Sequence, residues 1–455
     1  MEINPQIYRE YDIRGVVDKD LTPAVVRKLG QGFGTYMVNK GCKDLVVGRD
    51  GRLSSRTFAE ALIEGLISTG CNITDIGLCP TPVYYFSIFH LDKDGGMMVT
   101  GSHNPPDFNG FKVSVGKSTI FGEEIQSLRR LIERGEFARG AGNLSAQEVI
   151  SPYQEYIKKN VQLKKRMRVV IDAGNGTAGA VAGPLLRDLG CEVEELYCEI
   201  DGRFPNHFPD PTLPENLKDL IGRVKKLRAD AGIGYDGDGD RIGVVDDRGN
   251  IIWGDQLMIL FSREILKHQK GATFIAEVKC SQNLFTDIVK HGGKAIMWRT
   301  GHSLIKDKMR EEKAVLGGEM SGHIFFADRY FGYDDAVYAS CRLIELLSGT
   351  DEKLSQLLED VPKTFITPEI RVSCPDEIKF KVVEKVREVL REEFPIIDVD
   401  GVRVQFDDGW GLLRASNTQP VLVLRFEALT ERRTHEIKQL IEDRIKSAID
   451  TLKDR

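Results

Sequence analysis

The sequence predicts an α/β protein made of three similar mixed-sheet α/β domains followed by a smaller α+β C-terminal domain. Three observations carry that expectation. A pattern recurs three times, in which a short apolar strand leads into a helix and a later strand runs into a Gly-rich turn bearing unusual chemistry. Strands alternate with helices, such as those expected over 55–69 and 281–291, the order of largely parallel sheets covered on both faces. Beyond about residue 365 the alternation gives way to a helix, three closely spaced strands and a long amphipathic helix.

In the first copy, Leu45, Val46 and Val47 open the unit, residues 95–99 enter the turn Thr100-Gly101-Ser102-His103-Asn104-Pro105, and Phe111, Lys112 and Val113 leave it. The second copy opens with residues 169–171, enters Asp236-Gly237-Asp238-Gly239-Asp240-Arg241 from 231–234, and leaves through 242–245. The third opens with 274–276, enters Gly317-Gly318-Glu319-Met320-Ser321-Gly322-His323 from 314–316, and leaves through 324–326. The tail reads as a helix at 380–393, strands at 402–406, 411–414 and 421–426, and a helix at 431–452. Joins near 148, 250 and 365 divide the chain into 1–147 with the Ser102 turn, 148–250 with the aspartate turn, 251–364 with the Glu319 turn, and 365–455. Loops at strand ends are where such sheets place their sites.

With 455 residues, 41% of them hydrophobic and 29% charged, the chain can bury several cores. A formal charge of -6 gives no global attraction to polyanions, so nucleic acid is not an expected partner and a phosphate site must be built locally. No apolar run approaches the roughly 18 residues of a spanning helix, and the start Met1-Glu2-Ile3-Asn4-Pro5 lacks the regions of a signal peptide. A cytoplasmic protein without a membrane partner is expected. The eight cysteines form no CxxC and read mostly as buried thiols. Nothing in the sequence specifies an oligomeric state.

Asp236, Asp238 and Asp240 alternate with glycine, which lets the backbone curl so that three carboxylates converge, and hard oxygen ligands suit Mg²⁺. An EF-hand starts similarly, but Arg241 stands where its sixth-position glycine belongs and Asp247 where its final glutamate belongs. Ser102 falls on a tight turn whose exit is fixed by Pro105 and Pro106, and Lys112 returns toward the same site. A hydroxyl nucleophile beside a carboxylate-bound metal points to phosphoryl transfer. Two other glycine patterns compete. Gly116-Lys117-Ser118 lacks the first glycine of a phosphate-binding loop. Gly174-Asn175-Gly176-Thr177-Ala178-Gly179 does match GxGxxG, so a nucleotide-binding oxidoreductase is the rival from another class and tight helix packing the plainer reading. Glu319, Ser321 and His323 alternate as though on one side of an extended segment, a row suited to sugar hydroxyls. Arg414, Ser416, Asn417, Thr418 and Arg425 supply guanidinium, hydroxyl and amide donors matched to a phosphate.

These motifs, in this order and over essentially the whole chain, resemble those of the α-D-phosphohexomutase superfamily, in its phosphomannomutase/phosphoglucomutase branch. The resemblance implies four domains around a central cleft. It also implies a phosphoserine loop at 100–105, a metal loop at 236–241, a sugar loop at 318–323 and a phosphate loop at 414–418. Tyr11-Asp12-Ile13-Arg14-Gly15 is similar to the family's N-terminal segment, and Arg299-Thr300-Gly301-His302-Ser303 to its second histidine-bearing loop. The implied reaction interconverts hexose 1-phosphate and hexose 6-phosphate, of mannose, glucose or both, with Mg²⁺ as cofactor and hexose 1,6-bisphosphate as intermediate and activator. Ser102 would carry the phosphoryl group and join Asp236, Asp238 and Asp240 around the metal. Lys112 or His302 would handle the hydroxyl proton, and Arg241, Lys112 and Arg14 would offset phosphate charge. Tyr11, Lys279, His302, Glu319, Ser321 and His323 would meet the sugar phosphate. Glucose and mannose differ only at C2, so contacts by Glu319 and Ser321 to O3 and O4 would accept both. The phosphoglucosamine branch usually carries a different residue at the Met320 position, which argues against an aminosugar and leaves phosphoglucosamine mutase as the alternative within the superfamily.

Overall fold

In each repeated unit a set of parallel strands ends in one antiparallel hairpin, and the chemically unusual turn is that hairpin's connection. A computed structural model describes residues 3–416 and 420–453. In the first unit the strands Asp44–Arg49, Asn72–Leu78 and Gly95–Val99 run parallel, and Phe108–Val115 returns antiparallel to Gly95–Val99 with Val99 opposite Phe111. The Ser102 turn joins that pair. In the second unit Arg168–Asp172 lies between parallel neighbours Glu192–Leu196 and Ala231–Tyr235, and Ile242–Asp246 returns with Tyr235 opposite Ile242. The aspartate turn occupies the same topological place. In the third, Thr273–Glu277 has parallel neighbours on both sides, and Leu316–Gly318 turns back into Ile324–Phe326 through Glu319 to His323. The strand expected at 314–316 is thus shifted to Leu316–Gly318.

Buried apolar strands of this kind need helices on both faces, and the alternating order supplies them. Helices observed at Ser55–Ile67 and Gln282–Lys290 fall where the apolar periodicity puts them. One hydrophobic cluster runs through all three units. It joins Tyr84 and Phe86 on the helix Thr81–His90, Val169 and Tyr235 of the second sheet, and Leu316 and Tyr338 of the third unit. Side chains that share a core cannot slide past one another without opening voids, so the three turns are held in fixed relation.

The C-terminal unit is an antiparallel sheet in the order 365–366, Val421–Ala428, Gly409–Ala415, Val402–Phe406 and 396–397. Its two helices, Asp376–Glu393 and Glu431–Lys453, cover one face, packing Val386, Leu390, Ile437 and Ile441 against Leu413, Leu424 and Phe426. Strand alternation sends Trp410, Leu412 and Arg414 to the opposite face, which meets the third unit. That contact combines a small apolar cluster of Val278, Trp410 and Leu412 with buried polar groups. Buried Arg403 lies 3.7 Å over the Trp410 ring and donates to the carbonyls of Val278 (2.6 Å) and Cys280 (2.8 Å). Glu427 accepts from the hydroxyls of Ser281 and Thr364, each at 2.6 Å. No helix among the described residues is long and apolar enough to cross a membrane.

Arg403→Leu should therefore loosen the fourth unit more than it disturbs the other three. Each orphaned carbonyl costs about 1–3 kcal/mol, and limited proteolysis should cut the variant between residues 350 and 370 faster than the parent chain.

Candidate active site

Ser102 sits in the left-handed region, at φ +49°, which a non-glycine residue holds only when its surroundings impose it. The surroundings do. Arg52, whose side chain is fully buried, donates to the carbonyls of Ser102 (2.8 Å), Asn104 (2.5 Å), Pro105 (2.5 Å) and Phe108 (2.9 Å). Asp50 steadies both partners, accepting from the Gly101 N–H at 3.1 Å and lying 3.2 Å from Arg52 Nε. The serine is aimed by this clamp. Its hydroxyl donates to Asp236 Oδ2 at 2.8 Å and lies 3.2 Å from His103 Nδ1.

The aspartate turn reaches Ser102 because Gly237 has no side chain: a Cβ there would lie 2.4 Å from the Ser102 carbonyl oxygen. Asp236, Asp238 and Asp240 are all fully buried, with one carboxylate oxygen of each within 4.8 Å of the others. Asp238 Oδ2 accepts from the hydroxyls of Thr81 (2.6 Å) and Thr100 (3.1 Å), while Asp238 Oδ1 and Asp240 Oδ1 have no hydrogen-bond partner. Buried oxygens left in this state fit a hard divalent cation. Lys112 is the cation already present, bound to Asp240 and 3.1 Å from Asp238. Burial and then the neighbouring Asp240 and Asp238 push the Asp236 carboxyl well above the ordinary range. Burial acts in the same sense on Asp238, but Lys112 and the Thr81 hydroxyl outweigh it and hold that carboxyl low.

The Glu319 turn corrects the extended row expected from sequence. Gly322 N–H donates to the Glu319 carbonyl at 3.0 Å and Glu319 N–H to the His323 carbonyl at 2.9 Å, so the segment is a tight hairpin turn. Its polar side chains part company. Glu319 accepts from the Gly301 N–H (2.9 Å) and from Ser321 Oγ (3.0 Å). His323 instead faces the metal loop, where Arg241 Nε donates to its Nε2 at 3.0 Å. The ring proton then falls on Nδ1, 3.2 Å from Asp334 Oδ2 and 3.7 Å from Asp240 Oδ1. His302 stacks beside it with ring centres 5.6 Å apart. Burial and the Lys306 cation keep the His302 imidazole well below its usual range, hence neutral.

Contacts run without a break from Ser102 to the fourth unit. Tyr11 donates to the Thr300 carbonyl at 2.7 Å, and Arg14 reaches Asn104 Oδ1 at 2.5 Å from the Ser102 turn. Asp400 accepts from Thr300 N–H (3.1 Å) and Arg414 Nε (2.9 Å). Arg425 lies on the same sheet face as Arg414, since it pairs with Leu412; it is buried, and its Nε and Nη1 have no partner among the described residues. Ser416 is buried beside them, while Asn417 and Thr418 lie outside the described residues. Lys279 lies between Glu369 (3.2 Å) and Glu277 (3.5 Å), and Glu277 in turn accepts the Met320 N–H at 2.9 Å. The arrangement places Lys279 under the Glu319 turn.

The glycine run at 174–179 packs against the metal loop. Thr177 N–H donates to the Gly237 carbonyl at 3.0 Å, and a Cβ on Gly179 would lie 2.4 Å from the Cys198 carbonyl oxygen. Close packing accounts for the motif. Sequence reasoning missed Arg52, Thr81 and the Asp334–Lys306 pair at 3.0 Å. Arg52 could have been suspected from its place just past the first strand's C-terminal end, where α/β sites gather. Asp334 announces itself only as half of an acidic pair before a helix.

A buried serine hydroxyl, a buried carboxylate trio and a basic far wall, spread over three hairpin turns and a fourth unit, form the site of an α/β fold of the phosphoryl-transfer class. Models of phosphoglucomutase/phosphomannomutase α/β/α domains I, II and III match residues 5–139, 151–249 and 253–365, and the C-terminal domain model matches 369–444. The chain is 46% identical to a phosphomannomutase/phosphoglucomutase of Pseudomonas aeruginosa over 98% of its own length and 96% of that protein. It is 43% identical to a phosphoglucomutase of Neisseria gonorrhoeae, over 99% and 98% of the two. A crystal structure of a phosphoglucomutase/phosphomannomutase family protein from Burkholderia thailandensis superposes with a TM-score of 0.94 at 42% identity, covering 98% of each chain. The chain belongs to the phosphoglucomutase/phosphomannomutase family, within the α-D-phosphohexomutase superfamily.

Because one guanidinium holds four carbonyls of the Ser102 turn, Arg52→Lys should leave the fold intact and misplace the serine. A shift of about 1 Å costs on the order of 100-fold in turnover; steady-state rates alongside an unchanged circular dichroism spectrum check this.

Proposed function

We propose that the protein is a Mg²⁺-dependent phosphohexomutase that interconverts the 1- and 6-phosphates of glucose and mannose through a phosphoserine at Ser102. The observation that carries the reading is the 2.8 Å contact of Ser102 Oγ with Asp236, in a buried carboxylate trio where one oxygen each of Asp238 and Asp240 lacks a hydrogen-bond partner. Family membership gives the reaction class. We also take the units to divide at 147/148, 250/251 and 364/365, close to the spans that the family's domain models match.

In the proposed cycle the bond between phosphorus and Ser102 Oγ breaks as the free hydroxyl of a hexose monophosphate attacks. The bound hexose 1,6-bisphosphate then turns end for end and returns its other phosphoryl group to Ser102. Asp236, Asp238 and Asp240, with an oxygen from Ser102, would hold Mg²⁺, which when bound supplies electrophilic stabilisation of charge on the phosphoryl oxygens. Two dianionic phosphates about 5 Å apart repel by a gross sum on the order of 10 kcal/mol at an effective dielectric near 20. Lys112, Arg241 and Arg14 stand where they offset it.

Lys112 serves this charge role and not proton transfer. Burial would lower its ammonium, but Asp238 and Asp240 outweigh that and hold it above the usual lysine range. His302, neutral and with its Nδ1 lacking a hydrogen-bond partner, is the group we assign to the hydroxyl proton. Arg414, Ser416, Asn417, Thr418 and Arg425 are assigned the distal phosphate. Tyr11, Lys279 and His323 border the sugar, and Glu319 and Ser321 bind O3 and O4.

Initial rates with glucose 1-phosphate and mannose 1-phosphate under identical Mg²⁺ test the reading. Both should turn over without stoichiometric release of inorganic phosphate. Ser102→Ala should lose activity together with the mass increment of about 80 Da for a phosphoserine; an active variant that still carries the increment would falsify the nucleophile. Adding Mg²⁺ at about 100 times its dissociation constant should stabilise the protein by about 2.7 kcal/mol, read as a rise in thermal midpoint that Asp238→Asn abolishes.

A further inference from the structure

A cavity of about 280 Å³ lies between the first and third units at the strand ends opposite those that carry the functional turns. The strand Phe108–Val115 starts beside the Ser102 turn and ends beside Lys117, while Ala314 and Val315 precede the strand whose far end carries Glu319. Four cations line the cavity, Lys117, Lys306, Arg310 and Lys313, and no carboxylate does. That concentration occurs in a chain whose net charge is -6. Lys313 pairs with no carboxylate among the described residues, whereas Arg310 and Lys117 are paired only with exposed Asp307 and Asp92. The lining is also aromatic: Phe89 and Phe331 have ring centres 4.7 Å apart, Tyr333 lies parallel to Phe331 within 3°, and Lys117 Nζ stands 5.4 Å over the Phe89 ring. Cations facing rings recognise a phosphate attached to a planar, apolar group.

The helix His302–Glu312 connects this cavity to the reaction site. His302, Lys306 and Arg310 follow at intervals of four and so share one helix face, with Lys313 just past the last turn. Lys306 borders the cavity and donates to Asp334 Oδ1 at 3.0 Å, and Asp334 Oδ2 lies 3.7 Å from His302 Nδ1 and 3.2 Å from His323 Nδ1. Across the cleft, Thr119 donates to Ser303 Oγ at 3.0 Å, next to His302. A ligand that draws Lys306 away from Asp334 alters the carboxylate's hold on both histidines.

We propose that this cavity is a regulatory site for a nucleoside monophosphate, its phosphate on Lys306, Arg310, Lys313 and Lys117 and its base against Phe89, Phe331 and Tyr333. Occupancy lowers kcat without competing with sugar phosphate. Only that kinetic consequence rests on the mutase reading; binding stands apart from it.

Titration calorimetry of the full-length protein with AMP, adenosine and inorganic phosphate tests the site. AMP should bind at least about tenfold more tightly than either fragment, and Arg310→Gln combined with Lys313→Gln should weaken it by about tenfold or more, each a difference of about 1.4 kcal/mol. The double variant should keep its unliganded turnover of glucose 1-phosphate, and AMP should lower the parent's kcat at unchanged KM. Absence of binding at millimolar AMP, or AMP displaced by glucose 1,6-bisphosphate and indifferent to the double variant, would overturn the site. Phosphate binding as tightly as AMP overturns the role of the aromatic wall. Variant-sensitive AMP binding with kcat unchanged overturns the coupling, whereas a protein without mutase activity that still binds AMP as described separates the two assignments.

Discussion

Everything at this site depends on burying three carboxylates against a serine hydroxyl. Asp236, Asp238 and Asp240 have no solvent to spread their charge, and like charges this close destabilise one another unless cations or protons intervene. The chain answers in two ways. Lys112 is brought in from the first unit, and Asp236 is left with a raised pKa and the Ser102 hydroxyl as donor. The residual strain is what makes the trio a strong site for a small divalent cation. Without the cation the same cluster is a liability that no purely structural role would explain.

Such a cluster works only if its parts cannot drift apart. The serine and the carboxylates belong to different units, so their meeting rests on the shared hydrophobic core and on two local devices. Arg52 spends its planar fork on carbonyls of the Ser102 turn, which fixes backbone conformation, while its Nε lies against buried Asp50. Gly237 removes the one atom that would hold the turns apart. The fourth unit is attached differently. Its own core is separate, and its contact with the third unit joins the small apolar cluster of Val278, Trp410 and Leu412 to polar ties through Arg403, Glu427 and Asp400. The mutase site is thus walled by three units that share one core and by a fourth that does not.

Much of this was legible in the sequence. The threefold repeat named the three hairpin turns because glycine-rich connections between apolar strands are both a local signal and a topological one, and helices such as Asp376–Glu393 and Glu431–Lys453 follow from apolar periodicity. What failed was reasoning about side-chain direction across a turn. Glu319, Ser321 and His323 look like a row if the backbone is extended; in a hairpin turn the two ends face different partners, and His323 joins Arg241 and Asp334. Arg52, Thr81 and Asp334 were invisible for another reason. Each acts through contacts made across the fold, such as Thr81 with Asp238 across 157 positions, and the local signals, a strand end at Arg52 and an acidic pair at Asp334, do not name those partners.

The histidines and Lys112 illustrate how environment, not residue type, decides chemical role. A lysine is a plausible base only when desolvation or neighbouring cations lower its pKa, and here two carboxylates act in the opposite sense. The His302 imidazole experiences burial and a lysine cation, both of which favour the neutral ring. Asp334 opposes them, but Lys306 holds that carboxylate's other oxygen, so the aspartate's charge is shared between an ammonium and two rings. How firmly Lys306 is bound to Asp334 therefore sets how strongly that carboxylate holds the two rings. Lys306 is also the residue through which the site touches the cationic cavity behind it.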